Sequence, residues 1–197
     1  MAKIKILIKG YVIEKKGEVE FASSTTTLIQ DNNLNIIVDP GMHREWLLFS
    51  LNDENLSPEK IDFVVLTHTH IDHCFLTGIF TNAKILDDTC IYSDNGEIGE
   101  HDGKIPGTSI EIIQTPGHDQ FHCSILVDTE EYGKVAIVGD VFWWADDQEQ
   151  KTDKDSLLNH KDPYVKDKDS LRKSREKVLE LADYIIPGHG KMFKIKK

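Results

Sequence analysis

Four side chains that can bind a metal ion lie within six consecutive residues. They are His68, His70, Asp72 and His73, and they directly follow the apolar run 61–66. An apolar run of this length predicts a buried strand, so these side chains would lie where the strand ends and the chain turns. Imidazole nitrogens and a carboxylate suit zinc, iron or manganese, and their crowding favours two adjacent divalent ions over one.

Three further candidate ligands lie far along the chain, each after a strand-like run and beside glycine or proline. They are His118, Asp140 and His189. Glycine and proline fix tight turns, so each side chain is expected at the end of a strand. One such residue alone would more often belong to an ordinary turn. The repeated context predicts that all of these side chains form one metal site.

This set of motifs resembles that of the metallo-β-lactamase superfamily, in which His-x-His-x-Asp-His is followed by a distal histidine, an aspartate and a final histidine. The match covers about residues 25–190. It implies an α/β fold, a four-layer αββα sandwich with two central sheets. Local runs at 24–28, 139–142 and 182–190 are similar to the compact subgroup around metallo-β-lactamase domain-containing protein 1.

The resemblance also implies a role for each ligand. It assigns the seven side chains to two ions, with His68, His70 and His118 on the first, Asp72, His73 and His189 on the second, and Asp140 bridging them. The run 38–41 resembles a strand-end motif of the superfamily, with proline in place of threonine. Asp39 would then orient a ligand histidine. The alternative for Asp39 is an ordinary turn residue before Pro-Gly.

The activity that the resemblance implies is metal-dependent hydrolysis. Two divalent ions, zinc in the first place and iron or manganese as alternatives, would activate a bridging hydroxide. Asp72 would be the catalytic residue, acting both as a ligand and as the carrier of the proton. The substrate would be a small ester, thioester, lactone or phosphodiester. Two alternatives remain open: a mononuclear iron persulfide dioxygenase and a non-catalytic metal-binding module.

Aromatic residues and a polar segment follow Asp140. Residues 142–144 are three consecutive aromatics, which cannot all face the core from a strand. Trp143 and Trp144 are therefore predicted to form a wall of the substrate cleft, with simple packing as the alternative. The polar segment 146–169 is predicted to be a solvated loop with one short helix and to act as a flap beside the site.

Composition favours one domain spanning residues 1–197 in a reduced, cytoplasmic setting. The three cysteines are odd in number and lack the spacing of a zinc knuckle. The net charge of -11 disfavours a broad nucleic-acid or anionic-membrane surface. No apolar run is long enough to span a bilayer. We therefore expect a small-molecule substrate and no membrane partner, and the sequence does not indicate an oligomeric state.

Overall fold

Strands make up most of the regular structure in the computed structural model, which describes residues 1–15 and 18–196. The strands are β1 (Lys3–Ile8), β2 (Tyr11–Lys15), β3 (Glu18–Ser23), β4 (Thr26–Asp31), β5 (Leu34–Val38), β6 (Phe63–Val65), β7 (Lys84–Leu86), β8 (Cys90–Tyr92), β9 (Ile98–Glu100), β10 (Glu111–Gln114), β11 (Cys123–Thr129), β12 (Gly133–Ile137), β13 (Tyr184–Ile186) and β14 (Phe193–Lys194). The α-helices are α1 (Arg44–Asp53), α2 (Ile71–Cys74), α3 (Lys154–Leu158) and α4 (Lys168–Leu181).

The strands form two mixed sheets and a separate hairpin. The seven-stranded sheet has the order β1-β4-β5-β6-β7-β8-β9, and the five-stranded sheet has the order β10-β11-β12-β13-β14. The strands β2 and β3 pair with each other in a two-stranded antiparallel sheet. The strands β2 and β3 thus stand apart from the large sheet, in which β1 pairs directly with β4.

Alternating apolar residues place the core on both faces of each sheet. Ile36 and Val38 of the first sheet and Ile125 of the second belong to one buried cluster between the sheets. A second cluster joins the outer face of the first sheet to α1, and a third joins the outer face of the second sheet to α4. The layers are thus helix, sheet, sheet and helix, and the predicted αββα fold is confirmed.

Capping residues decide where the helices begin. Asp167 accepts hydrogen bonds from the backbone N–H groups of Asp169 and Ser170, so α4 begins at Lys168. Pro58 begins a three-residue 3₁₀ turn, Pro58–Lys60. No helix among the described residues is both long and apolar enough to cross a membrane.

The sheet topology brings several strand ends to one end of the sandwich. The pairs β5–β6 and β12–β13 are parallel, and β10 runs antiparallel to β11. A backbone hydrogen bond from Cys123 N–H to Thr67 O ties the two sheets together at this end. The carboxyl ends of β5, β6, β10, β12 and β13 therefore lie close together, and each is followed by a candidate site residue.

Candidate metal centre

The structure brings all seven predicted ligands together at this end of the sandwich. They fall into two groups, and within each group the potential ligand atoms lie within 4.8 Å of one another. The first group is His68, His70, His118 and Asp140, and the second is Asp72, His73 and His189. Apart from Asp140, which falls in the first group, these are the two sets of side chains that the resemblance implies.

Asp140 lies between the two groups and turns one carboxylate oxygen towards each. Its Oδ2 is 3.3 Å from His118 Nε2 and 3.9 Å from His68 Nε2. Its Oδ1 is 3.3 Å from His73 Nε2 and 3.6 Å from His189 Nε2. A carboxylate in this position can serve both groups at once, as a bridging ligand must.

Asp39 fixes the orientation of one ligand histidine. His73 Nδ1–H donates a hydrogen bond of 2.8 Å to Asp39 Oδ2, which leaves Nε2 free to bind a metal ion. Thr67 holds the same carboxylate through its N–H at 2.8 Å and its hydroxyl at 2.7 Å. Asp39 has a φ of 49°, a left-handed conformation that is rare outside glycine and is often found at functional sites.

Asp162 orients a second ligand histidine in the same way. This role was not predicted from the sequence. His118 Nδ1–H donates to Asp162 Oδ2 at 2.7 Å, and the Asp162 side chain is only 1% exposed. Asp162 Oδ1 also accepts a hydrogen bond of 2.9 Å from the N–H of Tyr164. Asp162 belongs to a segment rich in aspartates, and no local motif distinguishes it from the others.

Two glycines let the chain pass close to these ligands. A Cβ at position 188 would lie 2.0 Å from Asp140 Oδ1, and one at position 139 would lie 2.4 Å from Thr67 Oγ1. Gly139 also has a φ of 47°, which glycine adopts without strain. A side chain at either position would therefore displace the Asp140 turn.

Burial and neighbouring charges act in opposite directions on the pKa values of the buried side chains in the candidate centre. Burial alone favours the neutral acid at Asp140, but His73 and His189 outweigh it and hold the pKa of Asp140 well below its ordinary value. Burial lowers the pKa of His73, but Asp140 and Asp39 raise it well above its ordinary value. Burial lowers the pKa of His68. The centre thus keeps ionised carboxylates around buried imidazoles, an environment that favours a cation.

Unpaired donor atoms indicate that the residues fit a metal ion. His68 Nε2, His73 Nε2 and Asp140 Oδ1 are buried and have no hydrogen-bond partner. Leaving such an atom unpaired costs about 1–3 kcal/mol. His118 Nε2 and His70 Nδ1 are 3.2 Å apart, close to the roughly 3.3–3.4 Å between two nitrogens bound to one tetrahedral zinc ion. The His/Asp cluster therefore has the donor set and spacing of a divalent metal site.

Comparison with known proteins shows the family. The family model described as the metallo-β-lactamase superfamily matches residues 19–92. Metallo-β-lactamase domain-containing protein 1 of Xenopus laevis is 32% identical over 98% of this chain and 82% of its own length. The chain belongs to the metallo-β-lactamase superfamily.

Two further comparisons agree with this membership of the metallo-β-lactamase superfamily. A protein of Methanocaldococcus jannaschii described as a probable metallo-hydrolase, MJ0296, is 33% identical over 98% of this chain and 90% of its own length. The solved structure of AidC, described as a dizinc quorum-quenching lactonase, has a TM-score of 0.67 and 17% identity, covering 89% of this chain and 76% of that one. The chain is thus a member of a superfamily of metallohydrolases and carries a cluster that can bind metal.

A cleft of about 280 Å³ opens beside the side chains that could bind the metal ions. The predicted wall residues differ in their relation to it: Trp143 lines the cleft, whereas Trp144 does not. Trp144 is 3% exposed and packs against Phe142 and Phe193 in the core. The prediction for Trp144 fails because the chain leaves β12 through a 3₁₀ turn at Gly139–Val141, so the aromatics that follow do not alternate as they would in a strand.

The polar segment 146–169 is more firmly attached than a solvated loop would be. It contains the expected short helix, α3, and the first residues of α4. Leu157 is 1% exposed and belongs to the core cluster around α4, and Asp162 contacts His118 as described above. The segment therefore contributes to the site directly.

Proposed function

We propose that the chain is a hydrolase that uses two divalent metal ions, zinc in the first place, to cleave a small ester, thioester, lactone or phosphodiester. The observation that carries this proposal is the position of Asp140, whose two oxygens face two separate groups of ligands. In the structurally similar AidC the two metals are zinc, as its description states.

The second ligand group favours the hydrolase over the mononuclear dioxygenase. A single iron would need only the positions of His68, His118 and Asp140. Asp72, His73 and His189 would then have no reason to converge, yet they lie within 4.8 Å of one another. The open cleft beside both groups likewise favours an enzyme over a module that only stores metal.

Bound divalent ions would supply a water of lowered pKa and would polarise the carbonyl or phosphoryl oxygen of the substrate. Asp72 lines the cleft, and its Oδ2 lies 3.2 Å from His189 Nε2. Burial raises the pKa of the Asp72 carboxyl, but the hydrogen bond from His189 and the nearby His73 and His189 imidazoles together outweigh burial and bring it below the ordinary value. The ionised carboxylate can therefore accept the proton of the nucleophile and later return it to the leaving group.

Metal analysis and a substrate panel test this proposal. Protein purified without oxygen should contain about two metal ions per chain and should cleave at least one chromogenic ester, thioester, lactone or phosphodiester. One iron per chain, together with sulfite production from a persulfide, would support the dioxygenase in its place.

Replacement of Asp72 tests the proposed proton transfer. Asp72→Asn should lower kcat by about 10²–10⁴-fold in metal-loaded protein, because the amide cannot accept the proton. Asp128→Asn, at an exposed side chain paired with Lys134, is the matched control and should retain wild-type kcat. Near-normal turnover by a metal-loaded Asp72→Asn protein would remove Asp72 from this role.

A further inference from the structure

The cleft is lined mainly by apolar side chains wherever it is not lined by candidate ligands. These lining residues are Val12, Val19, Ala22, Ile71, Trp143 and Tyr164. No lysine or arginine is present among the described residues that line it. Substrate recognition in this cleft therefore depends mainly on aliphatic and aromatic surface.

A β-bulge in the hairpin directs two apolar residues of β3 into the cleft. Val12 pairs with Ala22 and Glu14 pairs with Val19, so Glu20 is an extra residue in β3. Successive residues of a strand point to opposite faces, and one extra residue reverses this alternation. The bulge explains how Val19 and Ala22, three positions apart, both face the metal centre.

The apolar residues that line the cleft form a packed floor and an exposed rim. Val12, Ala22 and Trp143 pack in one apolar cluster beside the ligands. Val19, Ile71 and Tyr164 remain 41%, 60% and 49% exposed. Exposed apolar side chains that surround a concave site are typical of a surface that a ligand covers.

We propose that this cleft binds the uncharged aliphatic acyl group of an ester, thioester or lactone. The inference rests on the proposed hydrolase function and narrows its substrate class, because phosphodiesters are set aside. Divalent ions would meet only the reacting group, and phosphate groups elsewhere on a substrate are usually bound by arginine or lysine, which the described lining lacks. An aliphatic chain, in contrast, gains binding free energy for every methylene that it buries against Val12, Val19 and Ile71.

A series of p-nitrophenyl esters tests this inference in metal-loaded protein. From acetate through butyrate and hexanoate to octanoate, kcat/KM should rise by up to about fourfold per methylene until the cleft is filled. Bis(p-nitrophenyl) phosphate should be cleaved more slowly than the hexanoate ester. A kcat/KM that is independent of chain length, or faster cleavage of the phosphodiester, would overturn the acyl assignment while leaving hydrolysis intact.

A pair of hairpin variants tests which surface binds the acyl chain. Val19→Ser should reduce kcat/KM for the octanoate ester by about threefold and leave the acetate ester almost unchanged. Phe21→Ser is the matched control, because Phe21 is 61% exposed in the same strand but lines a different groove, with Ile13 and Trp46. Equal effects of the two substitutions on the octanoate ester would contradict the assignment of the cleft.

A binding experiment keeps the inference testable without turnover. Calorimetry on the metal-loaded protein would compare sodium acetate with sodium octanoate, whose carboxylate groups are the same. We expect octanoate to bind at least about tenfold more tightly, and Val19→Ser to reduce this preference, because only the chain differs. Equal affinities would reject the acyl site, whereas absence of turnover with a strong octanoate preference would reject only the proposed hydrolysis.

Discussion

A buried carboxylate stands behind each of two ligand histidines and determines which nitrogen faces the metal centre. Asp39 accepts a hydrogen bond from His73 Nδ1, and Asp162 accepts one from His118 Nδ1, at 2.8 and 2.7 Å. The hydrogen bond keeps a proton on Nδ1 of each imidazole, so Nε2 is the nitrogen that would bind a metal ion in place of its own proton. The two carboxylates lie in different parts of the fold, since Asp39 directly follows the core strand β5 and Asp162 belongs to the polar segment 146–169.

Removal of Asp162 should weaken metal binding. Asp162→Ala leaves His118 without the acceptor that orients it, and we expect metal affinity to fall by about 10–100-fold. Competition with a chromogenic chelator measures this affinity without reference to activity. Asp155→Ala, at an exposed position in the same segment, is the control and should bind metal like the wild type. Equal affinities of the two variants would show that the contact has no effect on the ligand.

One of these two carboxylates was predicted, and the prediction came from the resemblance of the run 38–41 to a strand-end motif of the superfamily. The local pattern alone, an apolar strand followed by Asp-Pro-Gly, fits an ordinary turn nearly as well. The contact between Asp162 and His118 joins residues 44 positions apart and depends on how the segment folds back. Such a contact leaves no local pattern, so only the structure reveals it.

At the scale of elements, α4 holds together the two segments that carry Asp140 and Asp162. Arg175 of this helix donates from Nε–H to Val141 O at 3.0 Å and from Nη1–H to His160 O at 2.7 Å. Its guanidinium carbon also lies 5.5 Å from the centre of the Phe142 ring. Burial lowers the pKa of Arg175 to about 10, so the side chain stays charged at neutral pH.

Replacement of Arg175 should destabilise the protein. Arg175→Met leaves the carbonyls of Val141 and His160 without these donors, and we expect the free energy of unfolding to fall by about 2–5 kcal/mol. Urea unfolding of metal-loaded protein measures the change. Arg172→Met, which removes an exposed ion pair with Glu176, should cost less than about 1 kcal/mol. A similar small loss for both variants would mean that Arg175 does not hold the segments.

Strand pattern and turn geometry were predictable to different degrees. The pairing of β2, Tyr11–Lys15, with β3 in a separate hairpin depends on contacts between strands that the sequence pattern does not specify. The position of Trp144 could not be derived from strand periodicity, because the chain between Gly139 and Val141 forms a 3₁₀ turn. The two-sheet fold was predicted mainly from the resemblance carried by the ligand motif.

At the scale of the whole molecule, the candidate metal centre gathers buried acidic side chains at one end of the sandwich. The chain has a net charge of -11, and its buried or partly buried acidic groups include four beside the ligand histidines, namely Asp39, Asp72, Asp140 and Asp162. Buried carboxylates without cations cost free energy. Bound divalent ions would offset this cost, so metal binding should contribute to the stability of the entire fold.

Metal removal should therefore lower the melting temperature. Ions present at 100–1,000 times their dissociation constant add about 2.7–4.1 kcal/mol to the free energy of unfolding. For a domain of this size that corresponds to a rise of about 5–15 °C. Calorimetry before chelation, after chelation and after return of zinc measures the shift and its reversal.

Two variants show whether this stabilisation comes from the candidate centre. Asp140→Ala removes the carboxylate shared by both ligand groups, so its melting temperature should respond little to chelator. His101→Gln changes a histidine outside the centre, where His101 Nε2 contacts Asp87 O at 3.0 Å, and should retain the full wild-type shift. If Asp140→Ala kept the wild-type response, or if verified metal loss left the wild-type melting temperature unchanged, the ions would not stabilise the fold through these ligands. The unpaired Nε2 atoms of His68 and His73 would then require another partner.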